Sequence, residues 1–137
     1  MEQRYLIDSN VLIDYTACRL PEKSSDFVER IFNTEFLISV ITKIEVLGFD
    51  DLPDKMQTIE EFVNTATLLP LDESVTRQAI LLRRKYKKLK LGDAIIAATA
   101  INYELALITH NIADFNKIHS LQIIDPYNMN QSNNPGF

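Results

Sequence analysis

The chain of 137 residues has one cysteine, Cys18, so covalent cross-linking plays no part in its fold. One thiol cannot close an intramolecular disulfide, and a zinc site built from several thiolates is excluded with it. We expect Cys18 to be a small buried residue of a protein that works in a reducing cytoplasm. The first apolar segment ends at Asp8, which is too short for a secretory signal or a membrane span, so we expect neither export nor a membrane partner.

Glycine and proline are also scarce, with 3 and 5 residues. Together with 46% hydrophobic and 24% charged residues, this composition argues against a collagen-like, disordered or low-complexity chain. A single domain of this size buries roughly 68% of the surface that its unfolded form exposes. We predict one domain over residues 1–127 and a loose tail over residues 128–137, which are rich in Asn, Ser, Pro and Gly.

Positive charge is in the minority, with 14 Lys and Arg against 19 Asp and Glu and a net charge of -5. Bulk electrostatics would therefore repel a nucleic acid, and a polyanionic partner would need a local basic patch or a metal ion. Such a patch exists between positions 83 and 90. Its cations could follow a phosphate backbone, or they could complement the dipole of a helix C-terminus and keep it soluble. Both interpretations stay open for Arg83, Arg84, Lys85, Lys87, Lys88 and Lys90.

Short apolar segments alternate with amphipathic ones along the chain. Strands are predicted at 5–7, 36–40, 67–71, 105–108 and 122–124. Helices are predicted after Asp8 and at 24–33, 42–49, 53–64, 73–89 and 91–104, the last of them apolar nearly all round and therefore buried. The alternation implies right-handed crossovers, which predict an α/β fold with a mostly parallel sheet and helices on both faces.

Acidic residues stand where such a sheet forms its sites, at the carboxyl ends of strands. Asp8 follows the first strand, Asp114 lies beyond the fourth, and Asp93 heads the buried helix. Each of them also has a purely structural interpretation, because Asp is a favoured helix N-cap.

Glu45 is harder to explain as a structural residue, because its spacing places it on the same helix face as Ile41 and Ile44. A carboxylate on an apolar face is expected at the edge of a cleft or beside a cation. If the four acids converge, their repulsion would raise their pKa values unless a divalent cation compensates. Oxygen ligands favour Mg²⁺ or Mn²⁺ over zinc, and such a centre is typical of metal-assisted phosphoryl chemistry. The candidate ligands are Asp8, Glu45, Asp93 and Asp114.

Four blocks resemble, in their order along the chain, the PIN domain and specifically the small VapC-type toxins. They are LIDSNVLID at 6–14, SVITKIEVLG at 39–48, LGDAIIAATA at 91–100 and ITHNIADF at 108–115. The resemblance extends over about residues 4–127 and does not cover the tail.

The resemblance implies a five-stranded parallel sheet in the order 3-2-1-4-5 and a Mg²⁺- or Mn²⁺-dependent endoribonuclease. Such a protein is the toxin of a type II toxin–antitoxin pair and hydrolyses RNA with a metal-activated water. It implies that Asp8, Glu45, Asp93 and Asp114 are catalytic residues and metal ligands. Around them, Asn10, Thr109 and Asn111 would orient the carboxylates. The implied partners are RNA, an antitoxin that inserts a basic side chain among the acids, and a second copy of the chain bound through the outer helices.

Other functions remain as alternatives. A PIN nuclease that processes RNA without an antitoxin would use the same chemistry, and a PIN fold that only binds would use none of it. A signalling receiver domain would need an Asp after strand three and a Lys after strand five. Asp72 could supply the first, but Asp125-Pro126-Tyr127 supplies no Lys. His110 is interpreted as a solvent-facing loop residue, with a phosphate contact as the alternative.

Overall fold

A computed structural model describes residues 2–128 and confirms the α/β class. The strands are β1 (Arg4–Ile7), β2 (Leu37–Ser39), β3 (Thr67–Leu69), β4 (Leu105–Ile108) and β5 (Ile123–Ile124). The helices are α1 (Ser9–Thr16), α2 (Glu22–Thr34), α3 (Val40–Leu47), α4 (Pro53–Val63), α5 (Glu73–Lys85), α6 (Leu91–Asn102) and α7 (Ile112–Phe115), followed by a 3-10 turn, Pro126–Asn128. No helix in this range is long and apolar enough to cross a membrane.

All strand pairs are parallel, but the hydrogen bonds form two ladders, β1-β4-β5 and β2-β3. β2 lies beside β1 without a ladder between them, so the spatial order is the expected 3-2-1-4-5 with a break in the middle. β2 has only three residues, because Ser39 already caps α3 by accepting a hydrogen bond from the Thr42 N–H at 3.2 Å. The sheet therefore differs from the continuous five-stranded one that the resemblance implied.

The core lies on both faces of the sheet, as predicted. Successive side chains of a strand point to opposite faces, so Leu6 packs in one cluster and Ile7 in the other. Leu107 and Ile108 of β4 divide in the same way. The first cluster contains α5 and α6, and the second contains α1 and α2. β4 is buried along its whole length, which explains its uninterrupted apolar segment, whereas β3 is largely exposed.

Three local features differ from the predictions. α5 ends at Lys85 and not near Leu89, because Tyr86 is extended (φ -113°, ψ 90°) and a turn joins it to α6. The four-residue helix α7, which buries Phe115, was not predicted. Asn128 belongs to the terminal 3-10 turn and not to a tail, while the rest of the predicted tail, 129–137, lies outside the described residues.

Candidate active site

Asp8 is the first residue beyond β1, and its side chain is buried, with 3% of its surface exposed. Its Oδ1 accepts a hydrogen bond from the Ser9 N–H at 2.8 Å. Its Oδ2 accepts one from Asn10 Nδ2 at 2.9 Å and one from Thr109 Oγ1 at 2.7 Å. Burial raises the pKa of Asp8, while these three hydrogen bonds oppose that rise. The carboxylate is therefore fixed in one orientation by the protein itself.

Thr109 reaches Asp8 because β1 and β4 are parallel neighbours in register, with Ile7 opposite Ile108. Its buried Oγ1 donates to Asp8 and accepts from Asn10 Nδ2 at 3.2 Å and from the Asn111 N–H at 3.0 Å. The Asn10 Oδ1 in turn accepts from the His110 N–H at 3.0 Å. The loop after β4 is thereby tied to the start of α1.

Two of the three predicted supporting residues, Asn10 and Thr109, thus touch the Asp8 carboxylate. Asn111 takes part through its backbone N–H only, and its side chain makes no hydrogen bond within residues 2–128.

Glu45 lies on α3, which packs against α1. The Ser9 Oγ donates to its Oε1 at 3.1 Å. Partial burial raises the pKa of Glu45, the Ser9 hydrogen bond lowers it, and the charge of Asp8 raises it again. Glu45 is exposed and its neighbour Ile44 is 62% exposed, so the helix face that carries Glu45 is not the buried apolar face that its spacing suggested.

Asp93 lies in the first turn of α6, half-buried, and its side chain makes no hydrogen bond or ion pair with any described residue. Burial and then the charges of Asp114, Asp8 and Glu45 raise its pKa from 3.8 to about 6, and Lys90 opposes them. The same three charges that raise this pKa are the other predicted ligands. The charges of the other three predicted acids therefore all act on Asp93, although Asp8 and Asp114 follow β1 and β4 whereas Glu45 and Asp93 lie on α3 and α6.

The four acids do not form a finished cage. Among the residues that the structure describes, no three His, Cys, Asp or Glu side chains are placed so that they could hold a metal ion together. The centre consists of one fixed carboxylate and three carboxylates around it, of which Glu45 accepts a single hydrogen bond from Ser9. An arrangement of this kind leaves oxygen ligands available to an incoming cation.

The sequence did not predict a second network at the end of β5. Asp125 accepts from the Tyr127 N–H at 3.0 Å, and its Oδ1 lies 3.1 Å from His110 Nδ1. The His110 and Tyr127 rings pack with centroids 4.2 Å apart, and the Tyr127 hydroxyl donates to Asp14 on α1. This last bond, more than burial, raises the pKa of Tyr127 to about 12. The position of Asp125 at a strand exit, like that of Asp8, was the signal that could have indicated it.

Three further residues have structural positions. Cys18 is exposed and not buried, because the chain leaves α1 there through a left-handed residue with φ 58°. Asp72 caps α5 by accepting from the Val75 N–H at 2.9 Å and also accepts from the Tyr103 hydroxyl at 2.5 Å. That role leaves the receiver-domain interpretation without its phosphoacceptor. Tyr86 is partly buried and packs against the core.

Comparison with known proteins agrees with this fold. The model of the PIN domain family matches residues 5–120. Ribonuclease VapC1 from Haemophilus influenzae is 25% identical over 127 residues, which cover 86% of this chain and 94% of that protein. Ribonuclease VapC1 from Rickettsia felis is 28% identical over 129 residues, covering 87% and 93%. A solved toxin-antitoxin complex from Klebsiella pneumoniae contains a chain that is similar at a TM-score of 0.74 and 30% identity, covering 91% of this chain and 99% of that one.

Proposed function

Because the chain belongs to the PIN domain family, we propose that it is a VapC-type endoribonuclease, the toxin of a type II toxin–antitoxin pair. It hydrolyses phosphodiester bonds of RNA with Mg²⁺ or Mn²⁺. The observation that supports the proposal is the Asp8 carboxylate, which three donors hold at the exit of β1 and which Ser9 links to Glu45. The charges of Asp8, Glu45 and Asp114 also act on Asp93 and raise its pKa. The ribonuclease names of its relatives and the toxin-antitoxin complex among similar structures support the same function.

The chemistry of the ligand set fits a hard divalent cation. The four candidates offer carboxylate oxygens only, with no thiol or imidazole among them, which favours Mg²⁺ or Mn²⁺ over zinc. Asp93 also carries a repulsion that a bound cation would reverse, because three like charges surround it and no described residue donates to it. Asp8, Glu45, Asp93 and Asp114 would supply the ligands, and because no three of them are placed to hold an ion together within residues 2–128, at least one side chain would have to move on binding.

A bound divalent ion would supply a Lewis acid and an activated water for attack on the phosphate. The chain's own contribution is position. Ser9, Asn10 and Thr109 hold Asp8 in one orientation, and the single hydrogen bond on its Oδ1 leaves a lone pair of that atom for a ligand. Ser9 also steadies Glu45 at the edge, so the start of α1 orients two of the four acids.

An antitoxin is the expected protein partner, and a cluster of carboxylates is a suitable target for an arginine or lysine side chain. We expect a small protein encoded with this chain to co-purify with it and to suppress cleavage. Purification of active protein without any tightly bound partner from its natural source would instead favour a nuclease that processes RNA without an antitoxin. A homodimer through the outer helices is also expected, and a monomer mass at micromolar concentration would contradict it.

Cleavage of a mixed RNA pool tests the function. The purified chain is incubated with Mg²⁺ or Mn²⁺, with EDTA, and as the variants Asp8→Asn and Asp26→Asn. Asp26 is an exposed acid of α2 outside the centre and serves as the matched control. Discrete fragments from the wild type and Asp26→Asn, absent with EDTA and with Asp8→Asn, are expected. Intact RNA with every protein would contradict the proposal and favour a PIN fold that only binds.

A further inference from the structure

The segment from Arg83 to Lys90 is the most positively charged part of an otherwise acidic chain. It contains six of the 14 Lys and Arg residues and no acid, and without it the chain has 8 cations against 19 acids, a net charge of -11. None of the six forms an ion pair with an acid within residues 2–128. All of them are exposed. This unneutralised patch on an acidic protein needs an explanation.

The dipole of α5 explains only half of the charge. Arg83, Arg84 and Lys85 lie in the last turn of α5, where cations are favourable. The other three cations, Lys87, Lys88 and Lys90, follow the end of that helix and lead directly into the N-terminus of α6. A helix N-terminus disfavours positive charge, so the dipole of α6 makes these three positions unfavourable for lysine. Lys90 even occupies the N-cap position of α6 without making a capping hydrogen bond, where Ser, Thr, Asp or Asn would be preferred.

The backbone of the turn that connects α5 and α6 is anchored to the core at both ends. Tyr86 and Leu89 pack into the core on either side of it, and the Leu89 N–H donates to the Tyr86 carbonyl at 3.0 Å. Between these two anchors the lysines project into solvent. The Lys85 Nζ lies 5.5 Å from the centroid of the Tyr86 ring, a contact that leaves its charge available. Tyr86 is half-buried in this role and therefore acts as an anchor of the turn.

The patch reaches the carboxylate centre at its last residue, Lys90. The Lys90 carbonyl accepts from the Ala94 N–H at 2.9 Å in the first turn of α6, the same turn that presents Asp93, and the Lys90 charge lowers the pKa of Asp93. Most of the protein surface is acidic and repels a polyanion, so a polyanion that reaches the acids should approach them along the basic patch. We propose that Arg83–Lys90 binds the phosphate backbone of single-stranded RNA and brings the scissile bond to the adjacent centre. This proposal rests on the proposed function and identifies the surface that holds its substrate.

Binding in EDTA tests the surface separately from cleavage. The probe is a fluorescent single-stranded RNA of mixed sequence, about 20 nucleotides long, titrated by anisotropy at several KCl concentrations. The test variant is Lys85→Gln/Lys87→Gln/Lys88→Gln, which leaves Lys90 and its effect on Asp93 intact. The matched control, Lys23→Gln/Lys55→Gln/Lys117→Gln, removes the same charge from exposed lysines elsewhere. Circular dichroism confirms that both variants are folded.

We expect the test variant to bind roughly tenfold more weakly and its slope of log K against log salt to fall by about 2, since each phosphate contact on a single strand contributes about 0.7. The control should keep the slope of the wild type. Equal losses in both variants, no loss in either, or no binding by the wild type would overturn the proposal. Competition by poly-glutamate as effective as that by RNA of equal charge would also overturn it, in favour of an acidic polypeptide.

The two hypotheses fail in different ways. Binding through the patch without cleavage in Mg²⁺ or Mn²⁺ would contradict the proposed function and leave the surface assigned. If the test variant cleaves RNA as fast as the wild type at low RNA concentration, the proposed binding surface is contradicted and the proposed nuclease function stands.

Discussion

The two sides of the carboxylate centre are built in opposite ways. On one side Asp8 is buried, lies between adjacent parallel strands, and accepts hydrogen bonds from Ser9, Asn10 and Thr109. On the other side Asp93 is half-buried, has no donor among the described residues, and has a pKa raised to about 6. The protein itself supplies hydrogen-bond donors to Asp8, whereas Asp93 lacks the positive partner that a divalent cation would provide.

The largest expected effect is common to both sides. Asp8→Asn and Asp93→Asn each remove a charged ligand from the centre, so each should lower RNA cleavage by about 1000-fold or more. A time course at saturating Mn²⁺ measures it, with Asp26→Asn as the control. Wild-type activity in either variant would remove that residue from the ligand set.

Thr109→Val tests only the side of the centre that contains Asp8. The substitution removes the hydroxyl that donates to Asp8 at 2.7 Å and accepts from Asn10. We expect about 10- to 100-fold weaker metal affinity and a loss of about 1–3 kcal/mol in the free energy of unfolding. Thr109→Ser keeps the hydroxyl and should restore most of both. If Thr109→Ser is as impaired as Thr109→Val, packing of the methyl group and not the hydrogen bond maintains this side.

Asp93→Asn tests the side of the centre that contains Asp93, through the pH dependence of the free energy of unfolding without metal. Because folding raises the pKa of Asp93 above 3.8 to about 6, the folded protein binds this proton more tightly than the unfolded chain does. The ionised carboxylate therefore lowers stability as pH rises through this interval, and the full penalty applies above about pH 6. In EDTA, Asp93→Asn should be more stable than the wild type by about 1 kcal/mol at neutral pH after allowance for solvent screening. Chemical denaturation series at acidic and neutral pH measure this difference, which should shrink towards pH 4. A difference independent of pH would contradict the assignment.

The smallest effect comes from a matched threonine on α3. Thr42 is as fully buried as Thr109, yet its Oγ1 has no hydrogen-bond partner among the described residues. Thr42→Val should therefore raise the free energy of unfolding by about 1 kcal/mol, because it removes an unsatisfied buried hydroxyl at nearly constant volume. Thermal unfolding of Thr42→Val beside Thr109→Val should show changes of opposite sign. A loss of stability in both would contradict this difference between the two hydroxyls.

Local patterns were sufficient to predict much of this arrangement. Apolar segments bounded by capping residues located the strands, and Asp8 at the exit of β1 follows directly from that pattern. The pairing of β1 with β4, which brings Thr109 to Asp8, was expected only from the resemblance to the PIN domain, because it joins residues 101 positions apart.

The remaining features depend on tertiary distances that periodicity does not encode. The link from His110 to Asp125 joins side chains from different strand exits, and its partners could be identified only when β5 was placed beside β4. The early end of α5 at Tyr86 depends on packing of Leu89 in the core. The absence of a hydrogen-bond ladder between β1 and β2 depends on the N-cap at Ser39, which ends β2 after three residues and begins α3.

The most direct test of the account is thermal unfolding of the wild type and Asp93→Asn at neutral pH, in EDTA and in excess Mn²⁺. We predict that the order of stability of the two proteins inverts between these conditions. Asp93→Asn is the more stable protein in EDTA, and Mn²⁺ at about 100 times its Kd stabilises the wild type by about 2.7 kcal/mol with little effect on the variant. An equal response of both proteins to Mn²⁺, or none, would contradict the claim that a divalent cation completes this centre.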